Sequence, residues 1–80
     1  MIDLKEFLEG YKTSEIVLGG QKRVFREPSI KDLKMNISDI LEKYCIEGNF
    51  KEFKKYVFEE IPMSKQNELI NKVLEELGLV

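Results

Sequence analysis

Apolar residues recur at Leu4, Phe7, Leu8 and Tyr11, the i, i+3, i+4, i+7 spacing of one helical face. This predicts a short first helix over about residues 2–9, with Asp3 at its start and Gly10 able to end it. A helix this short does not persist in water by itself, so Phe7 and Leu8 are expected to pack against something else. From Glu15 the period changes. A β-branched apolar run ends in Gly19-Gly20, a second run follows through Val24 and Phe25, and Pro28 closes it, which predicts a hairpin over about residues 15–27. A two-residue Gly19-Gly20 loop would set Leu18 opposite Gln21. A four-residue loop would set Val17 opposite Val24 and Ile16 opposite Phe25, and its better apolar pairing makes it the preferred register. In either case Ile16, Leu18 and Phe25 should face the helices, because a lone two-stranded ribbon is marginal in water.

The rest of the chain reads as helical. Ile30, Leu33, Ile37, Ile40, Leu41 and Tyr44 keep the 3.6-residue period and predict one long helix over about 30–46, opened by Pro28-Ser29. Gly48 ends it, and Asn49 with Glu52 resembles a capping box for a third helix over about 50–60, with Phe50, Phe53 and Val57 inside. Pro62 stops that helix. Ser64 should cap a fourth over about 65–77, whose apolar face is Leu69, Ile70, Val73, Leu74 and Leu77. The fold class expected is mainly α: one small domain, residues 1–80, of about four helices with an N-terminal β-hairpin.

The string Glu15 to Leu33 also resembles the tail assembly chaperones of long-tailed bacteriophages. The matching positions are Val17, Leu18, Gly19, Gly20, Val24, Phe25, Arg26, Pro28, Asp32 and Leu33, within a segment of about a quarter of the chain. The resemblance implies a small, largely helical, cytoplasmic protein of the infected bacterial cell with no catalytic role. As a family, such proteins bind the long helical tape measure protein and keep it soluble until the tail tube polymerises around it.

Composition narrows the chemistry independently. Thirteen basic against fifteen acidic residues leave a net charge of −2, which argues against a general affinity for nucleic acid or anionic membranes. No apolar run approaches a membrane span, and no signal-peptide pattern opens the chain, so a soluble cytoplasmic protein is expected. The chain has no histidine, which removes the familiar catalytic triads and the usual zinc sets, so neither metal nor cofactor is expected. Cys45, the one cysteine, reads as a small packing residue. Glu59-Glu60 and Glu75-Glu76 are helix neighbours about 100° apart, which cannot share a site. Gly19-Gly20 reads as a turn, since neither a P-loop nor GxGxxG surrounds it. Lys22, Arg23, Arg26, Lys51, Lys54 and Lys55 alone suggest nucleic acid, yet the helices offer no recognition face for it.

What remains is apolar surface. Phe50, Phe53, Tyr56, Val57 and Phe58 crowd one helix, which cannot turn all of them to one neighbour. Either the first helix or the hairpin covers them, or they form a groove or ridge for an apolar partner helix, with Phe50, Tyr56 and Phe58 as the binding residues and Phe58 chosen as a solvent-exposed member. At this length only roughly 60–65% of the chain's surface can be buried, so stability is modest or shared, through a partner or a homo-oligomer. The expected function is stoichiometric binding of the tape measure protein and other tail components during phage or prophage tail morphogenesis. A small DNA-binding regulator or a structural adaptor subunit is the alternative.

Overall fold

The computed structural model describes residues 1–80. Helix α1 spans Leu4–Leu8, strands β1 and β2 span Thr13–Leu18 and Gln21–Arg26, and a 3-10 turn covers Ile30–Asp32. Helix α2 spans Ile37–Lys43, strand β3 Cys45–Glu47 and helix α3 Phe50–Lys55. A π-helical turn continues α3 over Tyr56–Glu60, and helix α4 runs Met63–Glu76. The sheet is antiparallel with β2 in the centre and order β1-β2-β3. This overturns the mainly helical expectation: half the chain is helical, but 19% is strand, and the strands come before and between the helices.

The hairpin forms where the pattern placed it, but the preferred register was wrong. Gly19 and Gly20 have φ of 61° and 76°, the pair of positive values a two-residue type I′ turn takes, and Leu18 faces Gln21. This turn's twist matches that of the strands, which outweighs the apolar pairing a longer loop would give. Ile16 therefore lies opposite Arg23, and Ser14 opposite Phe25. The two registers differ by two residues, so each side chain keeps its face, and Ile16, Leu18 and Phe25 share one as expected.

The long helix predicted over 30–46 is broken twice. Asn36 starts α2 afresh: its side chain accepts from the Asp39 N–H at 3.0 Å and donates to the Asp39 carboxylate at 2.9 Å. After Tyr44 the chain becomes extended and pairs with β2, Phe25 with Cys45 and Val24 with Glu47, while Ile46 bulges out between them. Open backbone groups along β2 reward this pairing more than another helical turn would. The helical face holds only where α2 exists: Ile40, Leu41 and Tyr44 are buried, whereas Ile30 and Leu33 are exposed.

The core gathers Phe25, Leu41, Phe53, Val57, Val73 and Leu77 between the sheet and helices α2 to α4. Phe25 and Phe53 pack with their rings tilted by 52° and their centres 5.1 Å apart, and Phe50 closes the group at 5.9 Å from Phe53. Helix α4 begins earlier than predicted, after Pro62, so Ser64 sits inside its first turn and does not cap it. It ends in a Schellman arrangement: the Gly78 N–H donates to Glu75 and the Leu79 N–H to Leu74. No helix is long and apolar enough to cross a membrane.

Candidate functional site

Helix α3 is set in place by Arg23. This cation, counted in the sequence as part of a basic patch, is fully buried. Its Nε donates to the Asn49 carbonyl at 3.2 Å, and one Nη donates to the Leu18 and Gln21 carbonyls. The other Nη lies 3.1 Å from the Glu52 carboxylate, close but off the hydrogen-bonding line. One guanidinium thus ties the hairpin turn to the start of α3, where the Asn49 side chain caps the Glu52 N–H at 3.3 Å. Its planar fork suits three carbonyls better than a lysine could. Arg23 is consequently lost to any nucleic acid.

Beyond Lys55 the helix widens into the π turn, and the Ile61 N–H reaches back to the Tyr56 carbonyl at 3.1 Å. Gln66 on α4 donates to the Val57 carbonyl at 2.9 Å, which fixes the turn against the next helix. Of the three residues singled out for binding, Phe50 and Phe58 are half-buried and packed on the core, so Phe58 is not the exposed member. Tyr56 is, at 45% exposure. Beside it opens a groove of about 190 Å³ lined by Ile16, Val17, Leu18, Phe53, Tyr56, Val57 and Leu69, all apolar. Glu52, Lys55 and Glu60 border it next to Leu18 and Tyr56. The aromatic crowding of α3 pointed to one wall. The other wall, Ile16 to Leu18 with Leu69, depends on the strand register and on how α4 returns, which no local pattern announces.

A second concave surface lies at the other end. Its cleft, about 600 Å³, is lined by Phe7, Leu8, Tyr11, Arg26, Pro28 and Ile30 among others. The Arg26 guanidinium stacks over Tyr11 at 4.7 Å and Tyr44 at 5.5 Å. The Tyr44 hydroxyl donates to the Asp32 carboxylate and accepts the Ser29 N–H at 3.1 Å, and Lys43 Nζ stands 2.9 Å from the same carboxylate. The Tyr44 hydrogen bond first, then Lys43, hold Asp32 below the usual carboxylate range, and Asp32 in turn pushes Lys43 up.

Cys45 is half-buried on the core, and burial pushes its thiol up, the direction of an unreactive sulfur. No group of three or more cysteine, aspartate or glutamate side chains is placed to hold a metal ion. Comparisons with protein-family models, curated proteins and solved structures find no match to this chain. The arrangement offers one apolar groove and one cleft of mixed lining that includes Arg26 and Glu27, concave surfaces that suit binding.

Proposed function

We propose that this chain is a tail assembly chaperone of a phage or prophage, acting in the bacterial cytoplasm by stoichiometric binding of the tape measure protein, without turnover. The observation that carries this reading is the groove beside Tyr56, seven apolar side chains bordered by charges of both signs. A long helical protein with periodic apolar faces aggregates unless those faces are covered reversibly. A shallow apolar groove can accept one or two anchors of such a face, the way amphipathic helices are commonly recognised. The resemblance of the Glu15 to Leu33 string to the tail chaperone family supplies the partner.

Co-expression with the cognate tape measure protein should raise that protein's solubility, and Tyr56→Asp should remove the effect while the variant stays folded. A carboxylate on the groove wall must lose its water on docking without a partner, which weakens binding by on the order of 2 kcal/mol or more. Phe58→Asp is the contrasting variant: its side chain rests on the core, so it should lower stability first. A wild-type chain that leaves the tape measure insoluble but retards a DNA fragment at physiological salt would replace this reading with that of a regulator.

A further inference from the structure

Strand β1 leaves its outer edge open. Facing residues of an antiparallel pair alternate between those that bond to each other and those whose backbone groups point away. Lys12 and Glu27 are of the first kind, since the Lys12 carbonyl accepts the Glu27 N–H at 2.8 Å, and Thr13 and Arg26 are of the second, since the Arg26 N–H goes to the Tyr44 carbonyl at 3.0 Å on the far side of β2. Ser14, Ile16 and Leu18 therefore bond to β2, while Thr13, Glu15 and Val17 turn their N–H and carbonyl groups outward. All three are exposed, and no turn, loop or other strand takes up these groups. Sheet edges are ordinarily blunted by bulges, prolines, charges or a covering element. The opposite edge is: β3 has three residues, and Ile46 bulges out of it. β1 keeps an unbroken register over six residues, contains no proline, and turns its one charge, Glu15, to Lys22 at 3.6 Å.

The apolar groove runs along this same edge. Ile16, Val17 and Leu18 all line it, and because consecutive strand residues point to opposite faces, a groove that all three border lies at the side of the strand. Ile16 and Leu18 stay half-buried there, whereas Phe25, on the same face of the central strand, is fully buried. We infer that β1 accepts an extended segment of a partner protein as a fourth strand, apolar at every second residue, with one of those residues seated in the groove. The open backbone groups select this occupant. A helix satisfies its own N–H and carbonyl groups, so one anchored in the groove leaves those of β1 to water or strands them beneath it. An extended segment pairs with them and still drops alternate side chains between Ile16, Leu18 and Tyr56, the division of labour of strand addition, in which main chain supplies affinity and pockets supply specificity. The inference rests on the groove as a binding site and not on the identity of the tape measure protein.

Amide chemical shifts of the isotope-labelled full chain, titrated with two synthetic peptides, test it. One peptide alternates leucine with threonine between terminal lysines; the other has the same composition with its leucines at helical spacing. The alternating peptide should shift the Thr13, Glu15 and Val17 amides and bind about tenfold or more tightly than the other. Methylating one alternate set of its amide nitrogens should abolish binding, and methylating the other set, which faces solvent, should leave it intact. Val17→Pro removes one outward N–H without touching the ladder to β2, so it should weaken the peptide by about tenfold with the melting temperature little changed. Should that variant not fold, the methylated pair decides alone. Equal binding of the two peptides, or indifference to both methylations, would overturn the proposal. So would a wild type that dimerises in sedimentation equilibrium and loses this in Val17→Pro, since the edge would then belong to a second copy. A chain that binds the alternating peptide yet leaves the tape measure protein insoluble would uphold the edge and end the chaperone reading.

Discussion

Asp32 shows how much a single carboxylate depends on its surroundings. From sequence it is an acidic residue in the first turn of a helix; in the fold it is buried and holds the 3-10 turn to the end of α2 through Tyr44 and Lys43. Because its folded pKa lies below the unfolded value, its contribution is present above about pH 4 and is lost as pH falls through the folded pKa. Urea midpoints of wild type and Asp32→Asn should therefore differ most at neutral pH and converge below about pH 4. A gap that stays constant into acid would assign the stabilisation to shape alone. Arg23 teaches a related lesson. No sequence pattern separates it from Lys22 or Arg26; the Leu18 and Gln21 carbonyls come from its own hairpin, and the return of Asn49 over the hairpin supplies the third acceptor of the buried guanidinium.

Among the elements, β3 was the one the pattern concealed. Tyr44, Cys45 and Ile46 continue an apolar helical stretch, and a three-residue strand is too short to establish a period of its own. The signal lay after it. Gly48 has φ of 98°, and a Cβ there would stand 2.5 Å from the Lys22 carbonyl and 2.9 Å from the Arg23 side chain. This closeness exists because β3 lies along β2. Gly48→Ala should then cost about 3 kcal/mol or more in equilibrium unfolding, from backbone strain and a clash with main chain together. Gly20→Ala, with φ of 76° but open space around it, should cost about 1 kcal/mol. Equal costs would mean that the β3 to β2 approach is looser than described. The start of α3 was legible because its Asn49 cap and its period agree, α4 was legible from its period although Ser64 does not cap it, and α2 was misread where the period ran across Asn36, which starts that helix afresh.

As a whole the molecule is thin, 49 × 26 × 17 Å, with a radius of gyration of 13.7 Å against roughly 11.6 Å for a compact chain of this length. Only 12 of its 80 residues are buried, so most of its stability rests on the one cluster around Phe25 and Phe53. Helix α1 projects from that cluster and contributes nothing to it. Removal of residues 1–9 should accordingly change the unfolding free energy of the monomer by less than about 1 kcal/mol, measured by denaturant titration at low protein concentration. A loss of several kcal/mol would place α1 in the fold proper.

By itself the sequence determined the features whose causes lie within a few residues of one another. These are the glycine turn, the alternation that puts Ile16, Leu18 and Phe25 on one face, the Asn49 cap, the apolar stripe of α4 and its Gly78 end. The absence of histidine and the balanced charge are equally local facts. Tertiary structure alone decided the burial of Arg23, the conversion of Cys45–Glu47 into a strand, the retreat of Phe58 toward the core and the exposure of Tyr56 and α1. Each of these depends on which distant backbone groups or apolar surfaces come within reach, because an edge carbonyl, a buried guanidinium or an uncovered helix takes its free energy from neighbours that chain order does not place beside it.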